Sequence, residues 1–577
     1  MRKLNRLNQF TRLWQATQGK PELVTVGELA GHCFCSERHM RTLLRQFSDW
    51  GWLRWQSNSG RGKRGTLSFY TTPDAQRAIL LEHALASGAS DAVQALAQLA
   101  PEQLRQTLSP LMGGRWLNSL STLRIPYYRP LDPLQPGFQA GRAEQHLASQ
   151  VLSGLTRFVD NSDLPQPDMA HHWMVDEKGT EWRFFLRPTL RWHDGSRVSE
   201  DQLCHRLNQL IRLPLMRQQF LGVAAIDIPA SQCLRIRLTR PDYWLPYRLA
   251  SYCCRLAHPN DNARGCGPFR LTHQNNSQVR LECHESYHLT LPLLNAIEFW
   301  ITPELFEQQM GTSCRHPVQI AVGEQTQMVA LRPVSRSLSL GFCYLAIRPG
   351  DKLNTKQARY VMALIQHYKL VETLPLEASL ISQSHAMLPG WPIPDYPLEP
   401  RVPLPAKMSL AYHLPIELHA MAQRLKEQLA LEGCELSLHF YDAKSWEDPR
   451  QLHGIDLVMG DRLIGESPAW TLEQWLRCNL LWACLLPEQH RQQLQSTLDD
   501  VQGQPDIHKR ESSLQQVMHS LMENGIIMPL FHYHYQISAP PGVNGISLNA
   551  RGWFDFSQAW LPPPEPHGGE EDSNALP

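Results

Sequence analysis

Between Val26 and Phe47 the apolar residues are spaced so that few folds can accommodate them. Val26, Leu29, Ala30 and Cys33 fall at i, i+3, i+4 and i+7, and Met40, Leu43, Leu44 and Phe47 repeat the interval. Each set lines one face of a short helix. Thr25 with Glu28 three residues later reads as a capping box opening the first helix, and Ser36 reads as the N-cap of the second. That leaves Phe34-Cys35 for a tight turn. Two amphipathic helices joined so closely predict a helix-turn-helix.

The solvent face of the second helix carries Arg38, Arg41, Thr42 and Arg45. Guanidinium forks suit guanine edges and phosphates, and threonine can bond a base or touch a thymine methyl. Residues near the N-terminal end of such a helix reach the bases, so Arg38, His39, Arg41 and Thr42 are the readout candidates. Arg45, a turn further on, suits a phosphate. Beyond it, 52–56 and 66–70 read as strands flanking a glycine-rich loop whose cations are Arg61, Lys63 and Arg64. This is the pattern of a wing, and its charge suits a phosphate backbone.

Charge agrees with that placement. The 577-residue chain is formally neutral, yet residues 1–70 hold twelve Lys/Arg against four Asp/Glu, a local excess of +8. With 42% hydrophobic residues the chain can bury several cores. The basic start is not followed by an unbroken apolar stretch, and no run of about 18 apolar residues occurs. Thirteen scattered cysteines suit a reducing compartment better than a disulfide framework. The expectation is a cytoplasmic protein with no membrane partner.

The pattern divides the chain into a winged helix-turn-helix domain over 1–72, a helical connector over 73–121, a long mixed α/β region over 122–561 and a disordered tail over 562–577. Gly113-Gly114 breaks the helical pattern within the connector.

Little points to catalysis. His32, Cys33, Cys35 and His39 lack the two matched ligand pairs of a structural zinc site, and Cys33 is already used on an apolar face. Cys253-Cys254 in a strand would point to opposite faces. His532 and His534 would share a strand face, but two ligands are too few for a metal. His193-Asp194-Gly195 reads as a turn. There is no nucleophile elbow, phosphate loop or H-E-x-x-H helix, so neither an enzyme nor a cofactor is expected.

The region after residue 122 resembles family 5 extracellular solute-binding proteins, the two-lobed receptors of peptide and nickel importers. The landmarks run in the family's order: Leu123-Arg124-Ile125, Leu131-Asp132-Pro133, Leu152 to Phe158 and Asp168 to Trp173. Then come Trp182 to Pro188, Trp192-His193-Asp194-Gly195, Ser199-Glu200-Asp201 and Gly265 to Phe269. With the N-terminal pattern the whole chain resembles the SgrR-type regulators. Ser36 to Leu44 and Arg551 to Phe556 are similar to that family's own segments, and His413 to His419 and Pro540 to Gly545 are similar to its YbaE branch. The resemblance implies a multidomain chain: an α+β winged helix-turn-helix, then a two-lobed periplasmic-binding-protein-like α/β domain of class II, its second lobe roughly 270–510.

It also implies a regulator whose receptor-like module senses a small molecule, with double-stranded DNA as partner and self-association left open. The alternative is the solute-binding component of an importer. Peptide-binding members carry a carboxylate for the peptide amino group where this chain has Gly460 to Pro468, with Ser-Pro in place of Asp-Pro. Asp461, Arg462 and Glu466 are the ligand candidates there, and the cation favours an anionic or polyhydroxy ligand such as a sugar or sugar phosphate. Pairing of Arg462 with Asp461 or Glu466 is the other reading.

Overall fold

The computed structural model describes residues 2–57, 64–86, 112–117, 119–139, 141–159, 162–302, 332–338, 341–350, 352–374, 381–413, 416–441, 450–539, 543–546, 553 and 555–564. The chain divides into two compact units, Met1–Leu111 and Met112–Pro577.

In the first unit, α1 (Arg2–Thr17), β1 (Glu22–Val24), α2 (Val26–His32), α3 (Glu37–Asp49), β2 (Leu53–Gln56), β3 (Gly65–Phe69) and α4 (Pro73–Ala86) follow in order. The capping box is present: Thr25 Oγ1 accepts from the Glu28 amide at 3.2 Å, and Glu28 Oε2 accepts from the Thr25 amide at 2.7 Å. Ser36 Oγ accepts from the His39 amide at 3.3 Å and so caps α3. Between the helices Phe34 takes a left-handed φ of 50°, which closes the turn. Leu29, Met40, Leu43, Leu44 and Phe47 are buried together with Trp52, Leu53 and Leu67.

Two parts of this unit have no counterpart in the sequence reading. Helix α1 adds Leu7, Phe10 and Leu13 to the core, and Phe10 meets Phe47 edge-on at 5.6 Å. Strand β1 pairs with β3, so the wing is a three-stranded sheet in the order β1-β3-β2. Replacing Thr25 with alanine removes one acceptor of the box, at about 1 kcal/mol. Amide exchange across 26–32 should then quicken about fivefold in the full chain, while that of residues 407–412 stays unchanged.

Among the described residues the second unit carries three large sheets and a two-stranded pair of 156–157 with 166–167. The first has five strands in the order 269–274, 278–283, 296–301, 120–127 and 113–117. Its pairings are antiparallel except that 296–301 runs parallel to 120–127. The second is an antiparallel four-stranded sheet in the order 223–230, 233–238, 181–186, 170–175. The third has seven strands between residues 332 and 539, and strand 407–412, next to its edge, is parallel to both 435–440 and 457–463. Helix Ile416–Leu431 makes the crossover between 407–412 and 435–440 that a parallel pair requires.

These pairings correct two boundaries. Segment 269–301 belongs to the first sheet, so the second lobe's strands run from 332 to 539 rather than from about 270 to 510. The connector read as 73–121 is helical over Pro73–Ala86, but its end is the strand Gly113–Leu117, hairpinned to Leu120–Tyr127. Gly114 stands there because a Cβ would collide with Leu561 and Val543. Those two belong to a late segment, with Trp553, Phe556 and Ala559, that is buried against strand 120–127. The tail beyond residue 564 lies outside the described residues.

Two buried polar networks fix the first lobe. Arg124 Nε donates to Glu298 Oε2 at 2.8 Å across the parallel pair, with both side chains under 5% exposed. Arg280 reaches the other Glu298 oxygen, and the Arg124 guanidinium lies 4.8 Å from the Trp300 ring. Fully buried Asp168 accepts from His288 Nε2 at 2.8 Å, Arg255 Nη1 at 2.8 Å and the Gly154 amide at 3.0 Å. Burial raises its proton affinity, but the His288 hydrogen bond and the Arg255 charge outweigh that and hold the carboxyl below its usual range.

Candidate functional site

The first candidate lies on α3. Its apolar residues are buried and its opposite face is open: Arg38, Arg41, Thr42 and Arg45 are exposed. Capping by Ser36 fixes where the helix begins, and hence which residues occupy its first two turns. Arg41 Nη2 pairs with Glu37 Oε2 at 2.8 Å, both side chains more than half exposed. Such a pair is worth well under about 1 kcal/mol and yields easily to a phosphate. Among the described residues neither Arg38 nor Arg45 forms an ion pair.

The other predicted residues are placed differently. The Thr42 hydroxyl donates back to the Arg38 carbonyl at 3.2 Å, so it must turn to meet a base. His39 is half-buried, and its Nε2 accepts from Arg6 Nη1 of α1 at 3.1 Å, so its ring docks α1 rather than facing solvent. Arg64 lies 3.7 Å from Glu28. Glu28 is held below the usual carboxylate range, first by the Thr25 amide, then by the Thr25 hydroxyl, with Arg64 a smaller contribution. Arg61 and Lys63 lie outside the described residues.

The side chains considered for metal binding have other roles. Cys33 is buried, its thiol pushed up to about 11 by desolvation, and its Sγ lies 3.5 Å from the Gln9 carbonyl. Cys253 and Cys254 sit in a 3-10 turn, Tyr252–Cys254, rather than a strand, and both are buried. His532 shares a 2.8 Å hydrogen bond with the Gly341 carbonyl, whereas the side chain of His534 lies outside the described residues. Trp192 is fully buried, its Nε1 donating to Gln202 Oε1 at 3.0 Å, which makes it core. Gly195 closes the His193-Asp194-Gly195 turn at a φ of 83°.

The second candidate lies where the first and third sheets meet. Asp461 and Arg462 are neighbours on strand 457–463, so the pleat sends them to opposite faces. Asp461 Oδ2 accepts from Arg142 Nη2 at 2.7 Å, and Arg142 opens the helix Arg142–Val151 that packs on the first sheet. The other Asp461 oxygen is 3.7 Å from His413 Nε2. Burial holds His413 below its ordinary value, against the opposing pull of Asp461. The Arg462 guanidinium instead lies 6.0 Å from the Trp475 ring, and half-buried Glu466 follows in the loop before helix Pro468–Cys478.

Arg142 and His413 were not among the sequence candidates. Arg142 is 319 residues from Asp461, and nothing in one sequence pairs them.

Residues 5–119 match the family described as "Sugar transport-related sRNA regulator N-term", and residues 165–306 match "Bacterial extracellular solute-binding proteins, family 5 Middle". Over 564 residues, 98% of this chain and 100% of the relative, the chain is 55% identical to "Uncharacterized protein YbaE" of Escherichia coli K12. It is 30% identical over 580 residues to the "HTH-type transcriptional regulator SgrR" of Pectobacterium atrosepticum, covering 96% and 98% of the two chains. Among solved structures, NikA from Brucella suis in complex with Fe(III)-EDTA superposes with a TM-score of 0.64 at 14% identity, over 76% of this chain and all of that one. A Pseudoalteromonas dipeptide-binding protein gives 0.61 at 14%, with the same coverage. At such identities these likenesses establish the two-lobed fold alone. The near-complete match to the regulators, head and receptor-like module in one order, decides the family: the chain belongs to the SgrR-type transcriptional regulators.

Proposed function

We propose that this chain is a cytoplasmic DNA-binding transcription regulator whose two-lobed module binds a small solute and thereby alters DNA binding or activation. The observation that carries this is the stripe of Arg38, Arg41 and Arg45 on the exposed face of a capped helix, in one chain with a solute-receptor fold. Exposed guanidiniums at this spacing can meet base edges and phosphates along a major groove. The role is regulatory rather than catalytic.

For the solute we favour an anionic or polyhydroxylated molecule, with sugar phosphates the first class to try. Arg142 holds Asp461 across the two sheets, so an anion able to replace that carboxylate would exchange one partner of Arg142 for another. A solute acts on the module only through unequal affinity for its open and closed states. Titration of genomic DNA fragments at several salt concentrations tests the first part. Binding should weaken steeply as salt rises, and no salt-dependent binding at all would refute the regulator reading. Thermal-shift screening with glucose 6-phosphate, glucose and a dipeptide tests the second, since a bound solute raises the melting temperature. Replacing Asp461 by asparagine weakens the Arg142 pairing, and a sugar-phosphate response should then change severalfold in apparent affinity.

A further inference from the structure

Of the twelve cations in residues 1–70, helix α3 and the wing loop account for Arg38, Arg41, Arg45, Arg61, Lys63 and Arg64. Four of the remaining six lie on α1, as Arg2, Lys3, Arg6 and Arg12, and α1 contains no Asp or Glu. A helix that served packing alone would gain nothing from this. Its contribution to the core comes from Leu7, Phe10 and Leu13. Arg2, Lys3 and Arg6 stand within its first two turns, where the helix dipole is positive, and no carboxylate on the helix relieves them. An anion brought to this end of α1 would meet both the cations and the dipole favourably.

Three contacts, at residues spaced three apart, lay this half of α1 along the start of α3. Arg6 Nη1 donates to His39 Nε2 at 3.1 Å, and the Cys33 thiol donates to the Gln9 carbonyl at 3.5 Å. The Arg12 guanidinium lies over the Phe34 ring, 5.3 Å from its centre. His39 belongs to the first turn of α3, and Phe34 to the tight turn just before it. At helical spacing His39 falls on the flank of α3, between the buried face and the exposed arginine stripe. Phe34 is an unusual residue for its place: it is 84% exposed, at a φ of 50° that bulky residues seldom take. Its ring face carries the exposed Arg12, which forms no ion pair among the described residues. Two guanidiniums of α1 are thus anchored beside the start of α3.

A major groove about 12 Å wide is filled by one inserted helix. Cations beside the start of that helix therefore stand over the sugar–phosphate strands that wall the groove, away from the base edges. We propose that α1 is a second DNA-contacting element, in which Arg6, held by His39, and Arg12, held by Phe34, each meet a backbone phosphate. The assignment rests on α3 being the recognition helix. It adds affinity for any sequence and fixes how the start of α3 sits between the strands, while base choice stays with α3. Fluorescence anisotropy of the full chain with a short duplex of random sequence, at about 50–200 mM salt, tests it. Arg12→Gln and Arg6→Gln should each weaken binding about five- to tenfold and flatten the slope of log affinity against log salt by about one unit. Arg6→Lys keeps the charge without the fork and should restore that slope, which a packing role for Arg6 would not require. Lys20→Gln removes the same charge just past the other end of α1 and should leave the slope unchanged. An unchanged slope in Arg12→Gln or Arg6→Gln, no restoration by Arg6→Lys, or an equal flattening by Lys20→Gln would each overturn the proposal and leave α3 in place. No salt-dependent binding by the parent chain would instead remove the regulator reading, and this assignment with it.

Discussion

Arg41→Ala combined with Arg45→Ala should lower DNA affinity by roughly 100- to 1,000-fold at fixed salt, since each lost base or phosphate contact is worth about 1–3 kcal/mol. The slope of log affinity against log salt should become shallower by about one to two units, the signature of lost phosphate contacts. Neither side chain supports the fold. Both are exposed, and the Glu37 pair that Arg41 gives up is solvent-screened. The double variant should therefore keep the parent's melting curve, and gel-shift or anisotropy titration reads the loss. Arg38→Ala should act differently: nearer the helix start, it should relax base preference at one position more than it changes the salt slope. Unchanged affinity in the double variant would remove α3 as the recognition helix.

Asp168→Ala should be among the most destabilising single changes in the second unit, at about 3–5 kcal/mol. It strands the Arg255 guanidinium and the His288 ring beside a buried gap. The amide of Gly154 loses its acceptor as well, so exchange protection there should collapse first. The same network gives the lobe a definite acid sensitivity. Because the Asp168 carboxyl is depressed in the folded state, its contribution is present above the unfolded value of about 3.9 and is lost as pH falls.

His193 acts earlier on the way down. Its Nδ1 accepts from the Gly265 amide at 3.2 Å and its Nε2 donates to the Gly267 carbonyl at 3.2 Å, which locks the neutral ring. Burial first, then the His284 ring 4.8 Å away, lowers its value to about 3. The unfolded chain takes up this proton near pH 6.5 and the folded chain does not, so stability should decline from about pH 6.5 downward. Urea midpoints measured from pH 7 to pH 4 check the sign. A midpoint that rises over this range would contradict the assignment for His193.

What could be read from residues alone follows the reach of the interactions involved. The capping box at Thr25 and the i, i+3, i+4, i+7 faces of α2 and α3 involve partners within eight positions, and they were legible with their ends. Helix α1 was legible in principle, since Leu7, Phe10 and Trp14 share one face, but polar residues at most other positions dilute the pattern. His39 looked like a reader because a helical wheel shows exposure within one helix and not what another helix covers. Its cover is Arg6, 33 residues earlier. The second candidate shows the same limit. Asp461 was named, yet its partner Arg142 comes from a different sheet's helix. The lobe boundary failed for a related reason: strand 296–301 returns to pair with strand 120–127, and no local pattern announces a parallel partner 174 residues away.

The late segment that closes the first sheet also sets an order of events at the ribosome. The core of the helix-turn-helix is complete once residue 86 has emerged, because all its strands and helices lie within the first 86 residues. The first lobe has no such independence. Val543, Trp553, Phe556 and Leu561 fill the space beside Leu123, Ile125 and Gly114, so its hydrophobic face stays unsealed until almost the whole chain has been made. At synthesis rates of about 5–20 residues per second, that leaves an interval of roughly 25–100 s. During it a finished DNA-binding head is tethered to an unfinished receptor. Nascent molecules can thus engage nucleic acid before they can register any solute, and premature termination near residue 540 would release a reader with no working sensor.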